Sequence, residues 1–341
     1  MTSFDNYSLL KHNTFGVEAF CRRFVEYENA DELREILADL RQTPQQPFLA
    51  IGGGSNLLFT ANYEGTILHS AIWGRELLKN EEGEVLLRVG AGEVWDDLVG
   101  WCVANGYYGL ENLSYIPGEV GAAAVQNIGA YGKEVGDYIV AVETLSVETG
   151  EKRVFSNEEC TYAYRYSIFK GVARGKYIVT AVVLRLSTVF EPDLSYGALS
   201  KELSVRGMSA AEVTAQGLRD LVIEIRKSKL PEPSELGSAG SFFMNPVVEQ
   251  QVVDQLLQRY PDMPHYAMPN GVKIPAGWLI EKCGWKGKRV GHVGVYEKQA
   301  LVLVHFGGGT GQEVSDLSHT IQEEVYRQFG IRIYPEVNFI G

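Results

Sequence analysis

Three consecutive glycines, Gly52, Gly53 and Gly54, are followed by Ser55 and Asn56, and this is the stretch most able to bind a ligand. Glycine lets backbone N–H groups turn toward a ligand and lets another surface approach closely. A bend of such amides forms a concave anion site, and the two polar side chains add donors. The pattern indicates a cradle for phosphate or pyrophosphate. A plain glycine turn between two strands is an equal alternative from this segment alone.

The familiar nucleotide motifs do not fit this loop. A Rossmann fingerprint needs a third glycine where Leu57 stands, and no Gly-Lys-Ser/Thr follows as a P-loop requires. Soon afterwards, Tyr63 to Gly65 predicts a turn. A later glycine loop, His305 to Gly311, precedes a helix, but Thr310-x-x-Glu313 is a capping box that satisfies the helix N-terminus from within. We interpret that loop as a connection and not as a phosphate site.

A second unusual stretch runs from Leu113 to Gly132 and is rich in glycine and alanine. Such small residues do not build an ordinary core, but they let a flat ligand lie against the backbone, where Gln126 and Asn127 would meet polar ring edges. A loop packed for its own reasons is the alternative.

Arg165 is surrounded by tyrosines in the sequence. Such a composition is usual in a solvated surface strand. An arginine among tyrosines can also bind a carboxylate, by bidentate pairing and stacking.

The amino-acid composition limits the classes of protein to which the chain can belong. The chain has 341 residues, 45% of them hydrophobic and 22% charged, which predicts two or three globular domains. Its net charge of −12 argues against a nucleic-acid scaffold and against an anionic membrane surface. No signal peptide or membrane-length apolar run occurs, so we expect a cytoplasmic protein. The four cysteines and six histidines lack metal-ligand spacing, so we expect free thiols and no metal.

The positioning elements follow from hydrophobic periodicity and from strand composition. The sequence predicts helices over 31–40, 94–105, 213–225, 248–260, 278–283 and 313–329, the third opened by a capping box at Ser209-x-x-Glu212. It predicts strands over 48–51, 66–69, 85–89, 140–146, 153–155, 177–186, 300–306 and 334–341. Pro231 and Pro233, which follow a basic cluster, indicate a domain boundary.

Four separated stretches, taken together and in order, resemble one family of flavoenzymes. They are Gly52 to Asn56, Ile116 to Gly132, Gly240 to Pro246 and Pro335 to Val337. The resemblance is to the UDP-N-acetylenolpyruvoylglucosamine reductases, also called UDP-N-acetylmuramate dehydrogenases, in their longer form, and it covers nearly the whole chain.

The resemblance implies an α+β fold with three parts. A two-subdomain FAD-binding domain of the vanillyl-alcohol-oxidase (PCMH) type would comprise residues 1–70, completed by 332–341, and residues 71–228. An α+β substrate-binding domain would comprise residues 229–331. Since neither a histidine nor a cysteine adjoins the first glycine loop, we expect non-covalent FAD.

The implied reaction belongs to peptidoglycan precursor synthesis, and hence to cell-wall biogenesis, cell shape and cell division. NADPH reduces FAD, and the enolpyruvyl group of UDP-N-acetylglucosamine enolpyruvate is then reduced to give UDP-N-acetylmuramate. Partners would be NADPH and the UDP-sugar, with no nucleic acid and no membrane, and we expect a monomer.

Residues carried over by motif fall into three groups. Ser241 would donate the proton, Arg165 would grip the substrate carboxylate, and Glu336 would lie beside it in protonated form. FAD would be held by Gly52, Gly53, Gly54, Ser55, Asn56, Leu57, Ser114, Ile116, Pro117, Gly118, Gly121, Ala122, Gln126, Asn127, Gly129, Ala130, Gly132 and Ile178. The substrate would be held by Tyr164, Tyr196, Lys229, Asn245, Tyr266 and Gln299.

Two departures and two rival functions stand beside this interpretation. Met244 replaces a frequent lysine and Asn338 a frequent arginine, so each removes a positive charge from an anion-binding region. The same fold would also suit an FAD oxidase of a small alcohol or sugar acid, which consumes oxygen and needs no NADPH. A nucleotide-sugar binding protein without flavin is the alternative from another class.

Overall fold

The computed structural model describes all 341 residues, with nine α-helices and nineteen strands. The helices are α1 Ala30–Gln42, α2 Trp95–Ala104, α3 Val120–Gln126, α4 Asn157–Cys160, α5 Gly197–Arg206, α6 Ala215–Lys229, α7 Gln250–Arg259, α8 Ala276–Lys282 and α9 Gly311–Phe329. The strands are β1 Thr2–Ser8, β2 Phe20–Tyr27, β3 Phe48–Ile51, β4 Leu57–Phe59, β5 Tyr63–Ser70, β6 Arg75–Glu81, β7 Glu84–Gly90, β8 Gly129–Ala130, β9 Lys133–Glu134, β10 Ile139–Ser146, β11 Lys152–Ser156, β12 Tyr177–Leu186, β13 Val247–Val248, β14 Tyr266–Met268, β15 Gly271–Lys273, β16 Arg289–Val290, β17 Val293–Val295, β18 Leu303–His305 and β19 Asn338–Ile340.

Two compact units share the chain, and both are discontinuous in sequence. The first unit comprises Met1–Tyr7, Cys21–Gly53 and Glu64–Arg226. The second unit comprises Ser8–Phe20, Gly54–Tyr63 and Lys227–Gly341. The three-part domain boundaries expected from the sequence stay a prediction.

Two main sheets organise the first unit. One has the strand order β1-β2-β5-β3, in which β3 pairs with β5 in parallel. The other is antiparallel, with the order β11-β10-β12-β7-β6. Strand β12 lies at the centre of the second sheet because its run from Ile178 to Leu184 is buried throughout, as β-branched side chains on both faces of a central strand should be.

Helices cover these sheets with their apolar faces. In α1, Leu33, Ile36, Leu37 and Leu40 follow the helical period and are all buried. The side chain of Asn29 caps this helix by accepting hydrogen bonds from the N–H groups of Asp31 and Glu32. Helix α2 buries Trp95, Leu98, Val99 and Cys102 in the core formed with β7, β10 and β12.

Two small sheets and one long-range strand pair organise the second unit. Its sheets are β13-β15-β14, β16-β17-β18 and the parallel pair β4 with β19, in which Leu57 lies opposite Asn338. The side chains of Phe242 and Phe243 are fully buried and meet edge to face at 5.0 Å. They anchor the segment from Gly240 to Pro246 in the core of this unit.

Several sequence predictions are confirmed by these elements, and two are wrong. Strands β3 and β12 have the predicted bounds, and α1, α2, α7, α8 and α9 lie within a few residues of theirs. The predicted turn from Tyr63 to Gly65 is instead the start of β5, where Gly65 is buried in the strand. The expectation that Leu113–Gly132 builds no ordinary core is also wrong, because α3 forms there and buries Val120, Ala123 and Ala124.

The two predicted capping boxes are both present, with different outcomes. Thr310 and Glu313 cap α9 as predicted, which supports the interpretation of the preceding glycine loop as a connection. Ser209 and Glu212 cap only the short 3-10 turn Ala210–Glu212, and α6 begins later, at Ala215. A capping box specifies a local turn, whereas tertiary packing decides whether the turn continues as a helix.

Three further features bear on the class of protein. None of the nine helices combines the length and the apolar character needed to span a bilayer. All four cysteines are free, and burial raises the pKa of the Cys102 thiol to about 12. No cluster of three or more His, Cys, Asp or Glu side chains is arranged to hold a metal ion.

The cap of α9 gives a stability prediction. Replacing Thr310 with Ala removes the side-chain oxygen that accepts the Glu313 N–H at 3.3 Å, so the free energy of unfolding should fall by about 1 kcal/mol. Thr310→Ser keeps the oxygen and should stay near the wild-type value, as measured by urea unfolding of both variants. Loss of bound flavin in Thr310→Ala at unchanged stability would contradict the interpretation and identify this loop as a phosphate site.

Candidate active site

The first two glycines of the front loop lie against the segment that the sequence pairs with them. A Cβ atom placed on Gly52 would come within 3.0 Å of the Ala122 Cβ and 3.2 Å of the Glu119 Oε2. A Cβ atom on Gly53 would lie 3.6 Å from the Gly118 Cα. The first unit therefore brings together Gly52, Gly53 and the 118–122 segment, and no larger residue fits at Gly52 without displacing its neighbours.

Backbone strain is concentrated in this region. Four of the six non-glycine residues with positive φ are Tyr115, Asn127, Tyr131 and Arg165, all in or beside segments expected to hold ligand. Each such residue costs on the order of 1–3 kcal/mol and persists only when its surroundings hold it. The concentration is typical of a functional site.

Tyr115 shows what holds the strained backbone. Its N–H donates to the Asp96 carboxylate, and its carbonyl accepts a hydrogen bond from Arg226 Nε at 2.9 Å. Arg219 fixes Asp96 in turn, with hydrogen bonds of 2.6 and 2.8 Å to the two carboxylate oxygens. Helices α2 and α6 thereby lock the backbone that leads into Ile116, Pro117 and Gly118.

Asn127 uses its side chain inside the protein. Its amide donates to Glu134 Oε2 at 2.7 Å and to the Ala163 carbonyl at 2.8 Å, and it accepts from the Gly136 N–H at 2.9 Å. The residue ends α3 in the left-handed conformation with a φ of 47°. Its amide therefore orders the loop, and its backbone is engaged as well, because the Asn127 N–H donates to the Ala123 carbonyl and the Asn127 carbonyl accepts from Arg165 Nη1 at 3.5 Å.

Gln126, in contrast, has an unused acceptor. Its side-chain Oε1 is buried and has no hydrogen-bond partner. A buried polar atom without a partner costs about 1–3 kcal/mol, which a ligand donor at this position would recover. Together with the tight fit around Gly52, this orphaned oxygen shows that the residues present suit a flat cofactor that carries N–H and hydroxyl donors, as FAD does.

Three residues expected to bind cofactor have side chains engaged elsewhere. The Ser114 hydroxyl is buried and donates to the Glu111 carbonyl at 2.6 Å. Ile116 packs against the core between α2 and β12, and Ile178 is buried in the cluster beneath α1. Any contact from Ser114 or Ile178 to the cofactor would use backbone atoms, while Ala130 and Gly129 form β8 and pair with β9.

Arg165 lies in a tight turn next to that hairpin. Tyr164 and Arg165 are the central residues of a turn closed by two hydrogen bonds between Ala163 and Tyr166. Arg165 Nη2 donates to the Gly129 carbonyl at 2.7 Å, and a Cβ on Gly129 would be 2.8 Å from Nη1. The guanidinium is thus held at the Gly129–Gly132 hairpin, which the sequence also places at the cofactor.

Two guanidinium groups of the first unit, those of Arg165 and Arg226, influence each other electrostatically. Burial lowers the pKa of Arg226, and the positive charge of Arg165 acts in the same direction, while Asp96 opposes both. Burial also raises the pKa of Tyr131, whose ring meets that of Tyr196 edge to face at 5.5 Å. Two guanidiniums that repel each other attract an anion, because the anion relieves that repulsion.

The rest of the glycine loop lies in the second unit. Gly54 has a φ of 67°, and a Cβ there would overlap the His12 carbonyl, so only glycine fits. Asn56 Nδ2 donates to the Glu336 carbonyl at 3.3 Å, and the Asn56 carbonyl accepts from the Asn338 N–H at 3.0 Å. The Asn338 side chain donates to the same carbonyl at 3.3 Å, which gives this departure from the family pattern a structural role.

Ser241 and Glu336 lie on neighbouring segments of the second unit. The Glu336 N–H donates to the Phe242 carbonyl at 2.8 Å, and Phe243 forms a β-bridge with Pro335. Ser241 is exposed, and its own β-bridge is to Val302. The buried Phe242 and Phe243 hold this backbone in place, so Ser241 and Glu336 are positioned by the core and not by mobile ends.

The remaining predicted substrate residues of this unit are partly engaged. Asn245 Oδ1 accepts from the Ala276 N–H at 2.9 Å, and Gln299 Oε1 accepts from the Leu301 N–H at 3.3 Å. Tyr266 is 55% exposed with Lys273 Nζ 5.7 Å from its ring centroid, and Lys229 is exposed at the end of α6. Exposure leaves Tyr266 and Lys229 accessible to a ligand.

Sequence reasoning missed the polar groups that support these segments. The Asp96–Arg219 pair and the contact of His69 with Glu119 join residues that are far apart in sequence. No spacing pattern in the sequence predicts such pairs. The one available signal was an acid, Glu119, within a glycine-rich stretch expected to hold a flat ligand.

Sequence profiles of two families match the chain. The profile described as "FAD binding domain" matches residues 21–156, and "UDP-N-acetylenolpyruvoylglucosamine reductase, C-terminal domain" matches residues 232–340. The first range contains Gly52 to Asn56 and the 114–132 stretch. The second contains Ser241 and Glu336.

The relatives described next match nearly the whole chain, and they share one name. The chain is 52% identical to the UDP-N-acetylenolpyruvoylglucosamine reductase of Bacteroides fragilis (strain YCH46) over 335 residues, 98% of this chain and 99% of the relative. It is 49% identical to that of Porphyromonas gingivalis (strain ATCC 33277) over 338 residues, 98% of each chain. The crystal structure of the Thermus caldophilus reductase superposes with a TM-score of 0.69 at 24% identity, covering 100% of this chain and 98% of that one, which supports the α+β fold.

The orphaned oxygen of Gln126 gives a prediction. Gln126→Leu removes a buried oxygen that has no hydrogen-bond partner, so the flavin-free form should unfold at the same or a higher urea concentration. The dissociation constant for FAD should rise about tenfold or more, because the ligand donor loses its acceptor. The matched control is Gln322→Leu, which removes a 2.8 Å bond to the Ile333 carbonyl and should lower stability without affecting FAD. The opposite pattern for Gln126→Leu would contradict the assignment.

Proposed function

The chain belongs to the family of UDP-N-acetylenolpyruvoylglucosamine reductases, and from this membership we propose residue roles in the family's reaction. The protein is an FAD-dependent oxidoreductase that uses NADPH to reduce the enolpyruvyl group of UDP-N-acetylglucosamine enolpyruvate. The product is UDP-N-acetylmuramate, a precursor of peptidoglycan. The resemblance stated from sequence, its fold class and its cofactor are confirmed.

FAD would lie on the glycine loop and on the 114–132 stretch. Gly52 and Gly53 carry no side chain and lie against the 118–122 segment, and Gln126 offers an unused buried acceptor. When bound, FAD accepts a hydride from NADPH and supplies it to the vinyl methylene carbon of the substrate. Side chains of the protein must then stabilise the negative charge that develops on the neighbouring carbon and on the carboxylate.

Ser241 would deliver the proton that completes the reduction. Its exposed side chain follows Gly240 and precedes two fully buried phenylalanines, which fix its backbone. A serine hydroxyl is a weak acid, so the transfer requires a strongly basic enol-type carbon. The bond from Oγ to the proton breaks as the new C–H bond forms, and solvent returns a proton to the alkoxide.

Arg165 and Glu336 would stabilise the charge. The Arg165 guanidinium would pair with the substrate carboxylate, for which the nearby Arg226 adds positive charge. Glu336 would donate a hydrogen bond in its protonated form, because an ionised carboxylate would repel the developing dianion. The 2.8 Å backbone hydrogen bond from Glu336 to Phe242, next to Ser241, is the single observation that carries the roles of Glu336 and Ser241.

Six other side chains would bind the parts of the substrate that lie away from the reacting carbon. Tyr164, Tyr196, Lys229 and Asn245 would contact the carboxylate and diphosphate, and Tyr266 and Gln299 the uridine end. Lys229 and Tyr266 are exposed, as a ligand contact requires. We also propose a cytoplasmic monomer; size-exclusion chromatography at the mass of one chain would support the monomer, and a dimer would overturn it.

The role of Ser241 is tested by separating the two half-reactions. Ser241→Ala should leave the bleaching of bound flavin by NADPH unchanged, whereas reoxidation by the enolpyruvyl substrate should slow by about 10²–10⁴-fold. Stopped-flow absorbance measures both steps on one sample.

A matched control is the exposed Ser234 in the same unit. Ser234→Ala should retain both rates. Equal slowing of both half-reactions in Ser241→Ala would contradict the role of proton donor. Rapid reoxidation of wild-type flavin by oxygen with a small alcohol, and none by the enolpyruvyl substrate, would favour the oxidase alternative.

The protonation of Glu336 gives a further prediction. Glu336→Gln keeps a hydrogen-bond donor and should retain more of the second half-reaction than Glu336→Leu, which has none. The rate for Glu336→Gln should also lose any decline at alkaline pH that comes from ionisation of the carboxyl. Identical rates for the two variants at every pH would show that no donor is needed at this position.

A further inference from the structure

His69 bridges two carboxylates in the first unit. Its ring lies at the end of β5, with Nδ1 2.9 Å from Glu26 Oε2 and Nε2 2.9 Å from Glu119 Oε1. A neutral imidazole has one N–H and one bare nitrogen, so it donates to one carboxylate only. The imidazolium donates to both, so two contacts of 2.9 Å to carboxylate oxygens suit the charged form.

Glu119 connects this bridge to the glycine loop. Its side chain is buried, with 9% of the residue exposed, and Oε2 lies 3.2 Å from the position a Cβ would take on Gly52. Oε1 lies 3.7 Å from the corresponding position on Gly53. A bare carboxylate this close to the loop would repel an anion bound on the other side of the two glycines.

We propose that His69 is a positioning residue whose imidazolium neutralises Glu119 beneath Gly52 and Gly53, so that the loop accepts the diphosphate of FAD. The inference rests on the proposed role of these glycines in holding FAD. It adds a group that the cofactor does not touch but on which its retention depends. It also makes flavin affinity depend on pH.

The electrostatic surroundings favour the charged ring. Burial by itself lowers the pKa of His69, but the hydrogen bonds and charges of Glu119 and Glu26 outweigh it, and the net pKa is raised. The charged groups that act on the ring are Glu119, from the turn before α3, and Glu26, from β2. The Phe24 ring stacks on it from β2 at 5.9 Å, and the buried Tyr27 hydroxyl interacts with Ser70 and the charge of Glu119.

The sign of the pH dependence follows from the raised pKa. Below the ordinary histidine pKa, near 6.5, the ring is charged and the bridge is complete. As the pH rises through the higher folded value, the ring loses its proton and one carboxylate loses its partner. Flavin affinity should therefore fall from neutral toward alkaline pH.

The test measures FAD release from the holoenzyme by recovery of flavin fluorescence on dilution, at values from about pH 6 to about pH 9. The dissociation constant of the wild type should rise with pH, about tenfold for each unit by which bound FAD shifts the histidine pKa. His69→Gln should raise the dissociation constant about tenfold or more at about pH 7, where the charge is lost. Glu119→Gln should give an affinity for FAD that no longer varies with pH. The double variant, with both His69→Gln and Glu119→Gln, should recover most of the affinity that His69→Gln alone loses.

A matched control and a folding check keep the outcomes distinct. His319→Gln replaces an exposed histidine on α9 and should reproduce the wild-type pH profile. Wild-type affinity without pH dependence, a pH dependence that survives in Glu119→Gln, or unchanged affinity in His69→Gln would each overturn the proposal. If His69→Gln does not fold by circular dichroism, the wild-type and Glu119→Gln profiles decide. A wild type that binds no FAD at all would overturn both the proposed function and this inference, whereas binding with a flat profile overturns only the latter.

Discussion

Close approach of backbone to backbone at small residues is the constraint on which the structure depends. Gly54 would place a Cβ in the carbonyl of His12, Gly90 in that of Ile72 and Gly92 in that of Ser70. The Gly121 N–H reaches the Ala91 carbonyl at 2.9 Å for the same reason. These contacts leave surfaces without side chains, and each of these glycines has a structural reason to be glycine; Gly54 and Gly121 would also contact the proposed FAD.

Charge is the second constraint, because an acidic chain must bind anionic reactants. The protein solves this locally, by pairing or neutralising the acids near the site. Asp96 is bound by Arg219, and Glu119 by His69, while Arg165 and Arg226 lie close enough to influence each other. Net charge therefore says little about the ligand of a buried site, although it does speak against extended polyanions such as nucleic acid.

How much of the fold and of the site could be predicted from the sequence depended on whether the residues that determine a feature are close together in the chain. The apolar run of β3, the β-branched run of β12 and the capping box at Thr310 are local patterns, and each formed as expected. The turn expected at Tyr63 failed because Gly65 serves packing inside a strand, and α3 was missed because its alanines were counted as too small for a core. The order of the motifs identified the family, whereas the amide of Asn127 and the bridge of His69 depend on partners brought together only by the fold.

The central claim is that the small-residue segments hold a flavin that passes hydride from NADPH to the enolpyruvyl sugar nucleotide. The most direct measurement is an anaerobic absorbance spectrum of the purified protein, recorded alone, after NADPH and after the enolpyruvyl substrate. The account predicts a yellow protein whose flavin bands bleach with NADPH and return with the substrate. A colourless protein that takes up no added FAD, or a bleached flavin that the substrate does not recolour, would contradict it.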